Sequence, residues 1–431
     1  TLLLVGRAGG HALPMGRGGR GAGGPTPLVA QCLADIACSE FVALDLEFSG
    51  LFLRPGDEQR PLSLDEYFRR CAESVPRFLP LQLGLCCLRR QEDGQGWELR
   101  AHEFDLWPRN RQIFTADLQS LRFLREHGFD FNAFFERGQE YVRLPAPCGQ
   151  AHAKRRRPLP SAARILLGLR EARVPLLVHN GFLDLLHLFD KFVGDLPGSL
   201  EEFAKIWTEQ FPLLYDTRHL AQEGRYNVLK HAGGLSLEAL HQHMRPLTRV
   251  RATLQHAGGL RPGSAAHGSS GKDAILTAEV FLMEVELWVR RWVSSASARK
   301  RRRREREEEL VRSVDALDWQ AVHARALELG VSLLRGPGAG RRPLAEIRAD
   351  VLAAKRGREA NPGCESGDEA PPAWEPPMEE AALVGSQQVP PAAVPLERFH
   401  AAFSAFRNRL AIVGASPGSF HLGQPAGLQS L

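Results

Sequence analysis

FVALDLEFSGL, residues 41–51, joins an apolar run to two acidic residues, Asp45 and Glu47. The run at 41–44 predicts a buried strand, and Ser49-Gly50 predicts the point where that strand ends. Because strand side chains alternate between the two faces of a sheet, Asp45 and Glu47 are expected side by side on one face. Adjacent carboxylates repel each other and are costly to bury. The stretch therefore predicts a cation, or a chemical task, at this face of the core.

Strands and helices alternate around this stretch, from about residue 37 to residue 295. This order predicts an α/β domain. The 431-residue chain is 43% hydrophobic, which is enough for such a domain to bury a core. Further strands are predicted at 81–88, 97–105, 174–179 and 213–216, and helices at 117–127, 161–173, 182–193, 199–210, 236–244 and 273–293.

The two flanking regions have compositions unlike that of a packed domain. Residues 1–36 contain a stretch rich in Gly, Arg and Pro, which predicts a flexible arm. Residues 296–431 begin with a basic segment and continue into a run rich in Pro, Glu, Gly and Ala, which predicts a largely disordered extension. Short helices are expected within this extension at 315–330, 343–355 and 396–410.

Basic residues are concentrated in two runs. The formal net charge is +5, and the runs are KRRR at 154–157 and KRRRR at 300–304. Such runs serve as nuclear import signals or contact RNA phosphates. Arg and Glu four residues apart after residue 300 are equally typical of a solvated helix. The sequence leaves these readings open and predicts a nuclear protein, with the cytoplasm as an additional compartment.

Cysteine usage and hydropathy narrow the class of protein. The seven cysteines are odd in number and lack the spacing of a zinc site, which predicts free thiols in a reducing compartment. No apolar run reaches the ~18 residues of a membrane span, so no membrane partner is expected.

Acidic residues recur beside other predicted strands and helices. Asp184 follows the strand at 174–179, and Asp273 begins the last long helix, with His267 ahead of it. Strand ends in an open α/β sheet meet at one edge, so these groups are expected to converge on the two acids of FVALDLEFSGL. Oxygen ligands of this kind suit Mg²⁺ or Mn²⁺. Two such ions about 3.5–4 Å apart would assist a phosphodiester displacement.

Simpler structural roles exist for the same residues. A carboxylate in the first turn stabilises the positive end of a helix, which suffices to explain Asp184 and Asp273. His267 is positioned either to take a proton from attacking water or to serve as an ordinary loop residue. Asp216 follows the strand at 213–216 and is expected to brace its neighbours. Order and spacing together favour the metal site.

Five stretches carry a resemblance to a known family. They are DLEFSGL (45–51), LQLGLCCLRR (81–90), LRFLREHGFDFNAFFERGQEY (121–141), PLLVHNGFLDLLHLFDKFVGDLPGSLEEF (175–203) and FPLLYDTRHLA (211–221). They resemble the DEDD-type 3′–5′ exoribonucleases of the poly(A)-specific ribonuclease, or deadenylase, family. Within it, HGFDFN followed by HNGFLDLLHL is closest to the branch of the target-of-early-growth-response protein. The resemblance covers about residues 37–295.

The resemblance implies a fold and a reaction. The fold is a ribonuclease H-like mixed five-stranded sheet flanked by helices. The reaction is two-metal removal of 3′ adenosines from poly(A) or oligo(A) tails, with release of 5′-nucleotides. RNA with a 3′ adenosine tail is the implied partner. Relatives of this group can dimerise, which adds a second copy of the chain as a potential partner.

The resemblance also implies roles for individual residues. Asp45, Glu47, Asp184 and Asp273 are the implied ligands of two Mg²⁺ ions, or of Mn²⁺, with Asp45 between the ions. His267 is the implied general base, although five residues separate it from Asp273 where the family has four. Asn180 and Asp216 are expected to support the ligands from behind.

Three other functions remain compatible with the sequence. One is 3′-end trimming of small structured RNAs, and another is a DNA exonuclease of the same superfamily. The third is an inactive RNA-binding scaffold that retains the nuclease fold. The full set of carboxylates argues against the scaffold, because a scaffold has no need to keep repelling charges together. The longer spacing between His267 and Asp273 argues for it.

Overall fold

The computed structural model forms two units, which are described separately. The sheet unit comprises the chain up to Pro246, Arg251–Leu282 and the segment from Ala405 onward, and the helical unit comprises Leu247–Val250 and Met283–Ser404. The structure describes residues 25–54, 61–93, 96–109, 113–144, 159–222, 234–256, 269–334, 342–359, 403 and 406–423.

A mixed sheet forms the centre of the sheet unit. Its five central strands follow the order β4-β3-β1-β6-β7. β3 runs antiparallel to both β1 and β4, whereas β6 is parallel to β1 and β7. The predicted mixed α/β fold is therefore confirmed. The eleven strands of the described chain are β1 (Phe41–Phe48), β2 (Leu62–Ser63), β3 (Pro80–Arg90), β4 (Trp97–Pro108), β5 (Gln139–Tyr141), β6 (Leu176–Val178), β7 (Leu214–Asp216), β8 (Ala252–His256), β9 (Arg409–Ala411), β10 (Ala415–Ser416) and β11 (Ser419–His421).

The predicted number of five strands is wrong, because the described sheet has seven. The two additional strands, β5 and β8, share the outer edge of β4. β8 pairs with residues 97–101 of β4 and β5 with residues 106–108. At 12 residues, β4 is long enough to offer its edge to both. Neither short strand carries a long alternating pattern, so sequence periodicity does not reveal them.

Twelve helices occur in the described chain. They are α1 (Pro27–Ala37), α2 (Leu64–Ser74), α3 (Leu118–Glu126), α4 (Phe131–Arg137), α5 (Ser161–Ala172), α6 (Phe182–Leu188), α7 (Leu200–Gln210), α8 (Thr217–Gln222), α9 (Leu237–Met244), α10 (Ser270–Asp315), α11 (Trp319–Glu328) and α12 (Leu344–Glu359). A π-helical turn, Phe189–Val193, follows α6 directly.

Helix α1 shows that the predicted domain boundary at residue 36 is wrong. Thr26 caps the helix by accepting from the backbone N–H of Val29, and Pro27 occupies its first turn. Val29, Cys32 and Ile36 are at most 1% exposed within the main apolar cluster. The sequence analysis missed this helix because it follows a Gly/Arg-rich stretch and because its apolar stripe covers only three turns.

The two faces of β1 have different environments. Its even-numbered residues Val42, Leu44 and Leu46 enter the main apolar cluster, together with residues from α1, α2, α5, α6 and α7. On the odd-numbered side, the ring of Phe41 lies 5.1 Å from that of Phe281 in α10. Alternation therefore places Asp45 and Glu47 on the face that α10 covers.

Helix α10 crosses the boundary predicted at residue 295. It runs without interruption for 46 residues, Ser270–Asp315, and contributes to both units. The basic run at 300–304 lies within it, and Arg304 pairs with Glu308 one turn on, at 2.9 Å. The structure therefore agrees with the interpretation of this run as part of a solvated helix.

The helical unit has an apolar cluster of its own. Helices α11 and α12 lie within or overlap two of the predicted helical ranges. The most buried members of this apolar cluster, each at most 4% exposed, are Val314, Val322, Ala326, Ile347 and Val351. Within the described residues of the whole chain, no helix is long and apolar enough to cross a bilayer.

The last described segment returns to the sheet unit, so the prediction of a largely disordered extension is wrong for residues 406–423. β9 pairs antiparallel with β11, and β10 pairs parallel with β2. Leu410, Ile412 and Leu422 are buried in the main apolar cluster. The helix predicted at 396–410 is also wrong at its end, where β9 begins at Arg409. Pairing partners distant in sequence stabilise these short strands.

Deleting residues 405–431 is expected to lower the free energy of unfolding of the sheet unit by about 5 kcal/mol, because burying each large aliphatic side chain contributes about 1.5–3 kcal/mol. Urea unfolding followed by fluorescence measures the change. A chain that ends at Gly423 keeps the described contacts of the segment and is the matched control. Equal stability of the two truncated chains would contradict the placement of this segment.

Candidate active site

Three carboxylates from two elements meet on the α10 side of the sheet. Asp45 and Glu47 belong to β1, and Asp273 lies in the first turn of α10. One carboxylate oxygen from each lies within 4.8 Å of the other two. All three residues are partly exposed. The structure thus brings together three of the four ligands predicted from the sequence, at a separation that a single cation could span.

Gly84 explains how α10 comes so close to β1. It pairs directly with Asp45 across the β1–β3 ladder and with Glu103 across the β3–β4 ladder. A Cβ atom at Gly84 would overlap the backbone carbonyl of Ser270 at the start of α10. Only glycine leaves room for the helix terminus to rest on the strand. The central glycine of LQLGLCC is therefore a packing requirement of the site.

Two polar side chains fix the start of α10 on the sheet. The side-chain oxygen of Gln82 accepts from both the backbone N–H and the hydroxyl of Ser270, each at 3.1 Å. Glu103 accepts from the Ser269 hydroxyl and from the Gly271 backbone N–H, the latter at 3.2 Å. These acceptors occupy N–H groups that a helix terminus leaves unpaired. Asp273, in the same turn, is thereby held over β1.

Asp184 approaches β1 from the neighbouring helix. It is 8% exposed, lies in the first turn of α6, and its Oδ1 accepts from the backbone N–H of Leu46 at 3.0 Å. Leu46 separates Asp45 from Glu47 in the chain. The predicted fourth acid is thus hydrogen-bonded to the strand that carries the first two, although it lies outside the group of three oxygens within 4.8 Å.

Asn180 and Asp216 are joined behind Asp184. Asn180 has a left-handed backbone with φ of 56°, and its N–H donates to Asp216 Oδ1 at 2.9 Å. Asp216 is 1% exposed and also accepts from the backbone N–H groups of Arg218, His219 and Ala411. Asp216 therefore holds the turn from which α6 begins. The contact of Asn180 with Asp216 is made by its backbone N–H, and a supporting role for its side chain stays a prediction.

Burial and mutual repulsion raise the pKa values of the acidic groups in the site. Burial raises the pKa of Asp45 well above its usual value, and the charges of Asp184, Asp273, Glu47 and Glu238 raise it further. Burial likewise raises the pKa of Glu47 to about 8, with Asp273, Asp184 and Glu103 adding to the effect. The pKa of Asp184 rises to about 7 through burial, although backbone N–H groups oppose that rise.

His267 lies outside the described residues, so its predicted role as a base stays a prediction. Gln82, Gly84 and Glu103 were not predicted as site residues. Their sequence is that of ordinary strands, and they are revealed only by the register of β3 against β1 and of β4 against β3. Glu238 in α9 acts on Asp45 through its charge and also escaped the sequence analysis.

The donor set fits a hard divalent cation. Carboxylate oxygens are the ligands that Mg²⁺ and Mn²⁺ prefer, and opposite charge would relieve the repulsion that raises these pKa values. Asp45, Glu47 and Asp273 could hold an ion directly, with Asp184 beside them. A pair of divalent cations in one site can stabilise both the attacking and the leaving oxygen of an in-line displacement at phosphorus.

Comparison with protein families gives the site its context. Residues 26–157 and 150–281 match the CAF1 family ribonucleases. These ranges cover more than half of the 431 residues, and the chain belongs to this family. The predicted DEDD-type ribonuclease is therefore confirmed at the level of the family. The narrower branch of the target-of-early-growth-response protein stays a prediction.

Individual relatives are distant. Poly(A)-specific ribonuclease PNLDC1 of Mus musculus is 23% identical over 293 residues, 44% of this chain and 55% of that protein. The pre-piRNA 3′-exonuclease trimmer of Bombyx mori is 38% identical over 53 residues, 12% of this chain and 10% of that protein. The S. pombe Pop2p structure in its Mg²⁺ and Mn²⁺ bound form has a TM-score of 0.41 at 20% identity, covering 60% of this chain and 87% of that one. The chain spans about half the length of the mouse relative.

The raised pKa values predict that the metal-free protein loses stability as pH increases. The folded pKa of Glu47 is about 8 against an ordinary value of 4.5, so the folded state binds more protons between these values and stability falls across that interval. Mg²⁺ or Mn²⁺ should therefore raise the melting temperature more at pH 8 than at pH 6. Thermal unfolding with chelator or with metal measures the difference.

The variant Glu47→Gln sharpens this test. In chelator at pH 8 it should raise the free energy of unfolding by about 1–3 kcal/mol, because it removes one repelling charge. It should also reduce the gain from metal. Glu201→Gln, at an exposed position in α7, is the matched control. Equal behaviour of the two variants would argue against repulsion at the cluster.

Gly84→Ala should displace the start of α10 and move Asp273 away from Asp45. We expect the apparent affinity for Mn²⁺ to fall about 10–100-fold, as it does when groups that orient metal ligands are lost. Mn²⁺ binding followed by electron paramagnetic resonance measures this. Gly168→Ala, in α5, would meet a leucine side chain and not the backbone, and serves as control. Unchanged Mn²⁺ binding by Gly84→Ala would contradict the packing argument.

Proposed function

We propose that this protein is a metal-dependent 3′–5′ exoribonuclease that removes 3′ adenosines from poly(A) or oligo(A) tails and releases 5′-nucleotides. The observation that carries the proposal is the convergence of Asp45, Glu47 and Asp273 within 4.8 Å, with Asp184 hydrogen-bonded to the intervening residue of β1. Membership of a ribonuclease family and the similarity to the mouse protein named as a poly(A)-specific ribonuclease support the choice of substrate.

In this proposal the four acids hold two divalent cations, Mg²⁺ or Mn²⁺. Bound cations would supply charge stabilisation at the phosphate and lower the pKa of attacking water. The β1 ladder fixes Asp45 and Glu47, the contacts of Gln82 and Glu103 fix Asp273, and the Leu46 N–H orients Asp184. His267, which precedes α10 in the sequence, is the proposed general base. Fixed ligands minimise rearrangement during the reaction.

One alternative has specific support, and a second comes from a different class of function. The trimmer of Bombyx mori, which matches a short part of this chain, is named for the 3′-exonuclease processing of pre-piRNA, and this favours 3′-end trimming of small RNAs as the second candidate. An inactive RNA-binding scaffold remains the rival from a different class. Against it stands the electrostatic cost of the cluster, which brings no advantage to a scaffold.

We further propose RNA with a 3′ adenosine tail as the partner and the nucleus as the main compartment, with the basic runs at 154–157 and 300–304 as import signals. A homodimer is a further partner proposed from the resemblance.

The experiment compares degradation of 5′-labelled RNA ending in oligoadenosine by the wild type, Asp45→Asn and Asp184→Asn. With Mg²⁺ or Mn²⁺ the wild type should produce a ladder of progressively shorter labelled products. Each variant should lose at least about 10²–10³-fold in kcat, because charge stabilisation at the phosphate is lost. Asp65→Asn, an exposed position in α2, is the matched control.

Three substrates separate the candidates. Equal rates on oligoadenosine and oligouridine ends would favour trimming without adenosine preference, and degradation of the matching DNA would favour the DNA exonuclease. RNA binding without a ladder in any divalent metal would establish the scaffold and overturn the proposed activity.

A further inference from the structure

The segment formed by residues 406–423, here named the C-terminal strap, is hydrogen-bonded to β7 at the edge of the central sheet. Asn408, which is 1% exposed, exchanges hydrogen bonds with β7. Its side-chain oxygen accepts from the Leu214 N–H at 3.0 Å, and its backbone N–H donates to the Leu214 carbonyl at 2.8 Å. Its amide nitrogen donates to the carbonyls of Pro212 and Gly423. One residue thus fastens both ends of the strap to the strand that ends in Asp216.

The strap also contacts the start of α2. The Leu62 N–H donates to the Gly414 carbonyl at 2.9 Å, where β10 pairs with β2. Ser63 follows and caps α2 through a reciprocal pair of bonds with Glu66. The ring of Tyr67 in α2 lies 5.9 Å from that of Phe182, the first residue of α6. The strap is therefore attached on two sides of the region from which α6 begins.

Hydrogen bonds, together with the first turn of α6, connect the strap to the acidic cluster. The Ala411 N–H donates to Asp216 Oδ2 at 2.9 Å, and the Asn180 N–H donates to Asp216 Oδ1 at the same distance. Asn180 forms the turn before α6. The Asp184 carboxylate of α6 then accepts from the Leu46 N–H at 3.0 Å. Both oxygens of Asp216 are engaged, one toward the strap and one toward the turn.

The chemistry of Asp216 indicates more than general stabilisation. A buried carboxylate is costly to desolvate, and four backbone donors are needed to satisfy this one. Two of those donors, at Arg218 and His219, lie in α8 directly after Asp216, and the other two come from segments remote in sequence, the turn at Asn180 and the strap. A charged acceptor that gathers remote backbone groups specifies their relative geometry more narrowly than apolar packing would.

We propose that the C-terminal strap positions Asp184 for the reaction by holding Asp216 against the turn at Asn180. The proposal rests on the exonuclease function proposed above, and it assigns to Asn408 and Asp216 a positioning role, without contact to the reacting atoms. Residues 406–423 thereby form part of the active-site architecture, although more than 120 residues separate them from Asp273.

The test uses the full chain and four variants. Asn408→Ala loosens the strap, Asp216→Asn weakens the acceptor, and the double variant asks whether the two act through one another. Val29→Ala, in the buried face of α1, is the control for lost stability alone. For each, kcat and KM on oligoadenosine RNA are measured below the melting temperature. Mn²⁺ binding without RNA is measured by electron paramagnetic resonance.

A positioning role predicts a specific pattern. Asn408→Ala and Asp216→Asn should each lower kcat about tenfold and weaken Mn²⁺ binding, the effect typical of losing a group that orients metal ligands. KM for RNA should stay unchanged. The double variant should fall no further than the worse single variant, because the two changes interrupt one series of contacts. Val29→Ala should retain wild-type kcat and Mn²⁺ binding at reduced melting temperature.

Other outcomes overturn the inference. If Asn408→Ala retains wild-type kcat and Mn²⁺ binding while its melting temperature falls as far as that of Val29→Ala, the strap contributes stability alone. Multiplicative losses in the double variant would show that strap and acceptor act independently. Should the wild type bind Mn²⁺ without degrading RNA, the proposed function fails, and the binding comparison still decides whether the strap positions the site. A wild type that binds no Mn²⁺ overturns both.

Discussion

The arrangement of the sheet unit around the site depends on one interaction, the repulsion among its carboxylates. The surrounding elements hold these groups together against that repulsion. Charges a few ångströms apart in a partly buried site repel strongly and would separate if their backbones were free to move. Each acid is instead held by an element that is itself fixed. β1 is paired on both sides, the start of α10 rests on Gly84, and Asp184 is tied to the backbone of β1. The fixed backbone of these elements therefore keeps the repelling side chains close together.

The pKa values distinguish the carboxylates that accept several backbone hydrogen bonds from those whose pKa is raised by burial and neighbouring charges alone. Burial raises the pKa of Asp216 to about 6, and four backbone N–H groups oppose that rise. For Asp184 the value is about 7, with two backbone N–H groups opposing burial. For Glu47, with a pKa of about 8, burial and neighbouring charges act in one direction. Hydrogen bonds of the fold therefore stabilise the charged form of Asp216, whereas the raised pKa of Glu47 leaves a bound cation as the partner that would favour its charged form. This ordering distinguishes a bracing carboxylate from ligand candidates.

Sequence alone predicts the parts of this arrangement that follow from local pattern. Alternation along FVALDLEFSGL places Asp45 and Glu47 on one face, and strand-to-helix junctions locate Asp184 and Asp273. The contacts that position these acids have no local signal. Gln82 and Ser270 are 188 residues apart, and Asp216 and Ala411 are 195 apart. Short strands such as β9 and β10 are stabilised by pairing partners and carry too few residues to show a period. The contacts that position the acids therefore depend on pairing between distant segments, which the periodicity of the local sequence does not reveal.

The path of the chain affects how the activity of a fragment is interpreted. A fragment bounded at residues 37 and 295, as composition suggests, would lack both α1 and the C-terminal strap. Without α1, His102 would lose its hydrogen bond to Asp35, at 2.9 Å, and Arg100 would lose one of the two carboxylates that it contacts. Without the strap, both backbone groups of Leu214 would lose their partner, and Asp216 would lose one of its donors. Buried groups left unpaired in this way are destabilising. Inactivity of such a fragment would thus follow from the loss of its supports, and it would not argue that the intact protein is a scaffold.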